Sequence, residues 1–181
     1  SLPNSYRQLF AGDVLRIGLH DWRTIVGYGH AAEHMSLYCD ELRVLISGDM
    51  LLPRISTNIS VHPANPYGNP LKLFLDSIDR FLELPPDTLV LPSHGRPFRG
   101  LHGRVAQLHA HHAERCEVVL KTCKDKPFSA AEIIPALFDR EFSDPHQTMF
   151  AMGEAIAHLN YLVHAGKIQR LETPDLIRFI S

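Results

Sequence analysis

His30, Asp49 and His94 are the side chains of this sequence best suited by type to hold a metal ion. Each sits in a short string with glycine or serine: Gly29-His30, Ser47-Gly48-Asp49 and Ser93-His94-Gly95. Imidazole nitrogen and carboxylate oxygen together suit Zn²⁺, Mn²⁺ or Fe²⁺. A lone Gly-Asp is most often a turn, and a lone Ser-His-Gly most often a cap. What gives these three weight is position, since each closes an apolar, β-type run. Donors at the ends of neighbouring strands can converge although they are far apart in the chain.

Two other histidine groups compete for the same reading. His30-Ala31-Ala32-Glu33-His34 has the H-x-x-E-H spacing of a zinc peptidase, which requires a helix to place both imidazoles on one face. Gly27, Gly29 and the β-like Ser36–Cys39 run leave about one turn for it, too short for a stable helix. Leu108-His109-Ala110-His111-His112-Ala113-Glu114 lies within a helical pattern, with His109 and His112 on its apolar stripe. Packed or capped helix histidines are the expectation there. Twelve histidines among 181 residues make any single one weak evidence.

The elements that must carry these residues follow from the apolar pattern. Residues 14–19 and 22–27 are short and β-rich and join at His20-Asp21, a hairpin. Residues 36–39 and 43–46 flank an Asp40-Glu41 turn, a second hairpin. Residues 50–70 read as a long loop, and a loop of that length in a compact domain is usually functional. Leu71, Phe74, Leu75, Ile78, Phe81 and Leu82 recur at helical spacing until Pro85-Pro86. Thr88–Leu91 is a buried-type strand that delivers Ser93-His94-Gly95. Strand, loop, helix, strand is α/β order.

A second long helix is expected from Arg104 to about Cys123, with Val105, Leu108, Cys116, Val119, Leu120 and Cys123 on one face. Beyond it, Ser129 and Glu132 form a capping-box start. A helix through Phe138 follows, then one from about Gln147 to Ala165 ended by Gly166. Residues 167–171 and 176–180 close as a two-stranded wing.

Composition sets the outer limits. Apolar residues make up 45% and charged residues 21%, ordinary globular usage. The formal net charge of −2 supplies no basic field for nucleic acid or anionic membranes. From Asp125 onward, five basic residues (Lys126, Arg140, Lys167, Arg170, Arg178) face eight acidic ones (Asp125, Glu132, Asp139, Glu141, Asp144, Glu154, Glu172, Asp175). That is not the footprint of a DNA reader. Cys39, Cys116 and Cys123 lack paired spacing and read as small buried hydrophobes in a reducing compartment. No run is long enough to span a membrane and no signal segment is evident, so a cytoplasmic location is expected. The start at Ser1-Leu2-Pro3-Asn4 reads as a cut or an expression scar.

The order Tyr28-Gly29-His30, Ile46-Ser47-Gly48-Asp49 and Leu91-Pro92-Ser93-His94 resembles the second half of a metallo-β-lactamase-fold hydrolase. Ser36–Tyr38 and Leu51–Asn58 are similar to its glyoxalase II-like and lactamase-B2-like branches, which carry a C-terminal winged-helix extension. The resemblance implies an α/β fold, the second half of an αββα sandwich followed by a small winged-helix-like α+β domain. Its units would be residues 1–102, a linking helix 103–125, and residues 126–181.

By the same resemblance His30 binds one metal, Asp49 bridges two, and His94 binds the second. Glu33, His34, Arg54, Asn58 and Arg96 would stand in the second shell or contact substrate, with Glu33 orienting a ligand imidazole. One or two Zn²⁺ ions, or Mn²⁺ or Fe²⁺ in their place, would supply metal-bound hydroxide to a small-molecule ester or thioester. The family's H-x-H-x-D-H string occurs nowhere here. The chain is therefore expected to be an incomplete fragment, weakly metallated alone. A non-catalytic half-domain that forms a homodimer, and a phosphodiesterase or nuclease on the same fold, are the other readings.

Overall fold

A computed structural model describes residues 5–138 and 142–181. Asp139, Arg140 and Glu141, three charges of the balance above, lie outside the described residues, as do residues 1–4. Five strands form one sheet in sequence order: β1 (Val14–Ile17), β2 (His20–Gly27), β3 (His34–Cys39), β4 (Val44–Gly48) and β5 (Leu89–Pro92). The first four pair antiparallel through short turns, and β5 pairs parallel to β4. A parallel pair needs a crossover. It is made by loop 49–69, helix α1 (Pro70–Asp79) and a 3₁₀ turn (Arg80–Glu83).

This alternation decides where the chemistry sits. β2 and β4 both run opposite to β3, so they point the same way, and β5 joins them. The C-terminal ends of β2, β4 and β5 therefore share one sheet edge with the N-terminal end of β3. His30, Asp49, His94 and His34 follow or open those strand ends.

The core lies between the sheet and α1 with the first half of α2 (Leu101–Thr122). Tyr38, Leu45 and Val90 from the sheet meet Leu71, Phe74 and Ile78 from α1, all essentially buried. The expected α1 stripe stops one turn early. At Arg80 the helix tightens to about three residues per turn. That keeps Phe81 and Leu84 buried at a spacing of three and turns Leu82 outward, 44% exposed. α2 begins at Leu101 rather than Arg104, after Gly100 at φ +92°, and buries Leu101, Val105, Leu108, His112, Cys116 and Val119.

Helix α3 (Ala130–Leu137) has the expected Ser129–Glu132 capping box, and α4 (Pro145–His164) starts two residues before the sequence reading, with Pro145 in its first turn and Asp144 as its cap. β6 (Gln169–Glu172) and β7 (Ile177–Ile180) form a separate antiparallel pair. The three cysteines are free and buried. Among the described residues no helix is long and apolar enough to cross a membrane.

Helix α4 also fastens the long loop. Val61 N–H donates to the Gly153 carbonyl at 3.3 Å. Asn160 Nδ2 donates to the Pro66 and Gly68 carbonyls at 2.9 Å each. Gly153 is required by this contact, because a Cβ there would lie 2.7 Å from Ser60 Cβ. Loop 50–70 is thus held between the sheet edge and the C-terminal helices.

Candidate metal centre

His30 leaves β2 through Gly29, at φ +98°, where a Cβ would lie 2.6 Å from Phe74 N in α1. Only glycine allows α1 to press this close to the strand exit. Ser77 Oγ accepts from Tyr28 N–H at 2.9 Å and Arg80 donates to the Val26 carbonyl at 2.6 Å, so the helix fixes the exit at two further points. The His30 ring is then set by its Nδ1, 2.9 Å from the Asn58 carbonyl. A carbonyl only accepts, so Nδ1 is the donor, and in the neutral imidazole it is Nε2 that carries the lone pair.

Asp49 is fixed through its own backbone. Its N–H donates to His34 Nε2 at 3.2 Å, and its carbonyl accepts from Thr57 Oγ1. Gly48, at φ +55°, makes the first bond possible, since a Cβ there would overlap the His34 imidazole. Because His34 Nε2 accepts, its proton is on Nδ1, which is buried without a partner among the described residues. Burial first, then the neighbouring His30, lowers the His34 pKa and favours this neutral form.

The two carboxylate oxygens of Asp49 face different imidazoles. His30 Nε2 lies 3.6 Å from Oδ2, and His94 Nε2 lies 3.5 Å from Oδ1. Ser93 Oγ donates to Oδ1 at 2.5 Å. The nitrogen–oxygen distances exceed the usual hydrogen-bond range of roughly 2.7–3.2 Å. They match two donors sharing one ion, which at bond lengths near 2.1 Å stand roughly 3.4 Å apart. Among the described residues no three His, Cys, Asp or Glu side chains meet at one point. What the chain presents is two pairs with Asp49 in common.

The remaining expected residues separate. Arg54 and Arg96 line one cavity with His94, of about 680 Å³, together with Pro53, Ile55 and Phe98. Asn58 lines a second cavity of about 530 Å³ with Ser56, Arg115 and Phe150, while its backbone carbonyl holds His30. Glu33 is exposed in the bend before β3 and, among the described residues, holds no imidazole; the Asn58 carbonyl holds the His30 ring. The H-x-x-E-H string is not helical, since His34 already opens β3. His109 pairs with Asp79 at 2.6 Å, and His112 is core.

Three contributors had little or no signal in the sequence. The Thr57 hydroxyl and the Asn58 carbonyl act from a loop without periodicity. Arg104 donates to the Leu52 and Ile55 carbonyls at 2.7 and 2.8 Å, an anchor that helical spacing alone does not reveal.

Comparison with known proteins now decides the family. A profile described as the metallo-beta-lactamase superfamily matches residues 2–94, slightly more than half of the chain. The chain belongs to the metallo-β-lactamase superfamily. A profile for the metallo-beta-lactamase-like C-terminal domain matches residues 116–181. A β-lactamase domain protein from Burkholderia ambifaria is 52% identical, superposes with a TM-score of 0.95, and is matched over 99% of this chain and 53% of its own. A metallo-β-lactamase family protein from Thermus thermophilus is 32% identical, with a TM-score of 0.84 over 98% of this chain and 55% of its own. A probable metallo-hydrolase of Bacillus subtilis is 27% identical over 90% of this chain and 50% of its own length. The chain thus spans about half the length of these relatives. Its mixed α/β fold is that of the superfamily, and its relatives include a metallo-hydrolase.

Proposed function

We propose that this chain carries part of the metal-binding set of an ester or thioester hydrolase, with His30, Asp49 and His94 as donors. The observation that carries the reading is the shared carboxylate, whose two oxygens face two imidazole nitrogens at 3.6 and 3.5 Å. Zinc suits this donor set, with manganese or iron as the other ions of its class. When bound, a divalent ion lowers the pKa of its water from about 15.7 towards 7, so hydroxide is available near neutral pH.

The chain's own residues supply geometry. The Asn58 carbonyl keeps the His30 lone pair aimed at Asp49, and His34 and Thr57 hold the Asp49 backbone on both sides. Arg54 and Arg96 are placed to meet substrate beside His94. Among the described residues each imidazole meets one carboxylate, that of Asp49, and we assign the remaining donors to the part of the protein that the relatives, about twice as long, have beyond the matched region. The glyoxalase II-like or lactamase-B2-like branch, a winged-helix-like identity for α3, α4, β6 and β7, a cytoplasmic location and pairing with a second copy belong to the same reading.

The test is zinc binding and thioester hydrolysis by the full-length protein and its Asp49→Ala variant. Wild-type activity that a chelator removes and zinc restores, with loss of both zinc and activity in the variant, is expected. Undiminished zinc-dependent hydrolysis by the variant would contradict the proposal.

A further inference from the structure

We propose that Ser93 is a positioning residue for the shared carboxylate, its hydroxyl holding Asp49 so that each oxygen faces its own imidazole. The inference rests on the reading of Asp49 as a common donor and adds the group that orients it.

Anchoring the backbone of an aspartate does not by itself fix where its oxygens point. His34 and Thr57 hold the Asp49 N–H and carbonyl. The carboxylate still turns about its Cβ–Cγ bond, a torsion with only a broad preference. Ser93 Oγ, 2.5 Å from Oδ1, stops that turn. A carboxylate oxygen only accepts, so the hydroxyl donates. Among the described residues this is the one hydrogen bond the carboxylate receives, since the His30 and His94 nitrogens stand off at 3.6 and 3.5 Å. With Oδ1 held on the His94 side, Oδ2 is left facing His30.

The fold delivers the hydroxyl to this place. β4 and β5 run parallel, and their register slips between Ile46 and Gly48, so that Gly48 stands opposite Pro92. Asp49 and Ser93 are the next residues on the two strand exits and meet side by side. Ser93 N–H donates to the Gly48 carbonyl at 3.2 Å, which fixes the backbone beneath the hydroxyl. Ser47, two residues before Asp49, does a different job: it is buried, and its Oγ donates to the Leu51 carbonyl at 2.9 Å. Ser93 is exposed and supports no core. An exposed side chain whose hydroxyl meets a candidate donor serves that donor rather than the fold. Hydrogen bonds from a hydroxyl to a carboxylate are short and among the stronger ones. Groups that hold a ligating carboxylate typically matter about 10–100-fold to metal affinity.

The experiment uses the full-length protein and its Ser93→Ala, Ser93→Thr and Asp49→Ala variants. Metal-free protein with isotopically labelled aspartate carboxyl carbons is examined first by NMR, and the Asp49 signal is assigned by its loss in Asp49→Ala. Ser93→Ala should move that signal, whereas Ser93→Thr, which keeps the hydroxyl, should leave it near the wild-type position. Co²⁺ is then titrated and followed by its visible absorption. Ser93→Ala is expected to weaken Co²⁺ binding about 10–100-fold, and Ser93→Thr to restore most of it. The metal-free melting curve of Ser93→Ala should match the wild type, because the residue is exposed.

Co²⁺ affinity unchanged in Ser93→Ala but lost in Asp49→Ala would overturn the positioning role and leave the shared donor standing. Co²⁺ binding unmoved in Asp49→Ala would overturn both. An Asp49 carboxyl signal that ignores Ser93→Ala, or a Ser93→Thr variant as weak as Ser93→Ala, would also overturn the role of the hydroxyl. So would a drop in the metal-free melting curve that matches the loss of affinity, since Ser93 would then serve the fold.

Discussion

The Asp49 backbone N–H reaches His34 Nε2 at 3.2 Å across a gap that only glycine at position 48 leaves open. One contact thereby ties the end of β4 to the start of β3 and sets the plane from which the Asp49 carboxylate projects. Gly48→Ala adds a methyl where the imidazole lies and forces alanine to φ near +55°. The expected cost is about 1–3 kcal/mol, from left-handed strain and overpacking. A lower urea midpoint with weaker zinc binding would show it; an unchanged midpoint would refute it.

Gly153→Ala tests whether α4 positions the long loop. Alanine gains about 1 kcal/mol of helix propensity over glycine. Against that, its Cβ would fall 2.7 Å from Ser60 Cβ and close to the Val61–Gly153 hydrogen bond. Overpacking typically costs about 1–3 kcal/mol, so net destabilisation is expected. Adding Ser60→Gly removes the colliding atoms and should recover most of the loss in a thermal melt.

Arg104→Met removes the charge that serves the Leu52 and Ile55 carbonyls while keeping an apolar stem in the helix. A loss of about 2 kcal/mol is expected, as for hydrogen bonds from a charged donor. Amide exchange should rise in residues 52–58 before it rises in β3 or β4. Uniform exchange across both regions would show that Arg104 does not anchor the loop.

Acid should weaken the fold through a buried histidine pair. His158 Nδ1 donates to the Glu154 carbonyl, so its Nε2 accepts from His112 Nδ1 at 3.1 Å, and both rings are neutral. Burial pushes His112 down to about 3 and His158 to about 4. Below about pH 6.5 the unfolded chain binds protons that the folded chain refuses, so stability falls as pH falls towards 4. Each histidine contributes up to about 1.4 kcal/mol per pH unit in that window. Urea midpoints at pH 7.5 and 5 should differ less in a His112→Gln, His158→Gln variant than in the wild type. Equal differences would contradict the assignment.

Much of this architecture was legible because periodicity is local. The β1–β2 hairpin, the α1 stripe through Ile78, the α2 face and the Ser129 capping box each follow from spacing within one turn or one hairpin. The break at Arg80 was not legible, since the change from α to 3₁₀ winding depends on what Phe81 and Leu84 pack against. The candidate donors His30, Asp49 and His94 could be singled out because strand ends leave a signature of glycine and serine, and the fold brings the three to one sheet edge. Their support could not: the Asn58 carbonyl and Thr57 hydroxyl come from a loop whose path is set by α4, about a hundred residues downstream. Glu33 lies exposed in the bend before β3, and the group that meets the His30 ring is the Asn58 carbonyl, which sequence adjacency does not point to.

Counting zinc in the full-length protein decides whether Asp49 is common to two imidazole sites. Zinc per chain would be measured for the wild type and for the Asp49→Ala, His30→Ala and His94→Ala variants, each confirmed as folded by its melting curve. Each histidine substitution is expected to weaken one site, and Asp49→Ala to weaken every site the wild type fills. Zinc content unchanged in Asp49→Ala would contradict the sharing of Asp49.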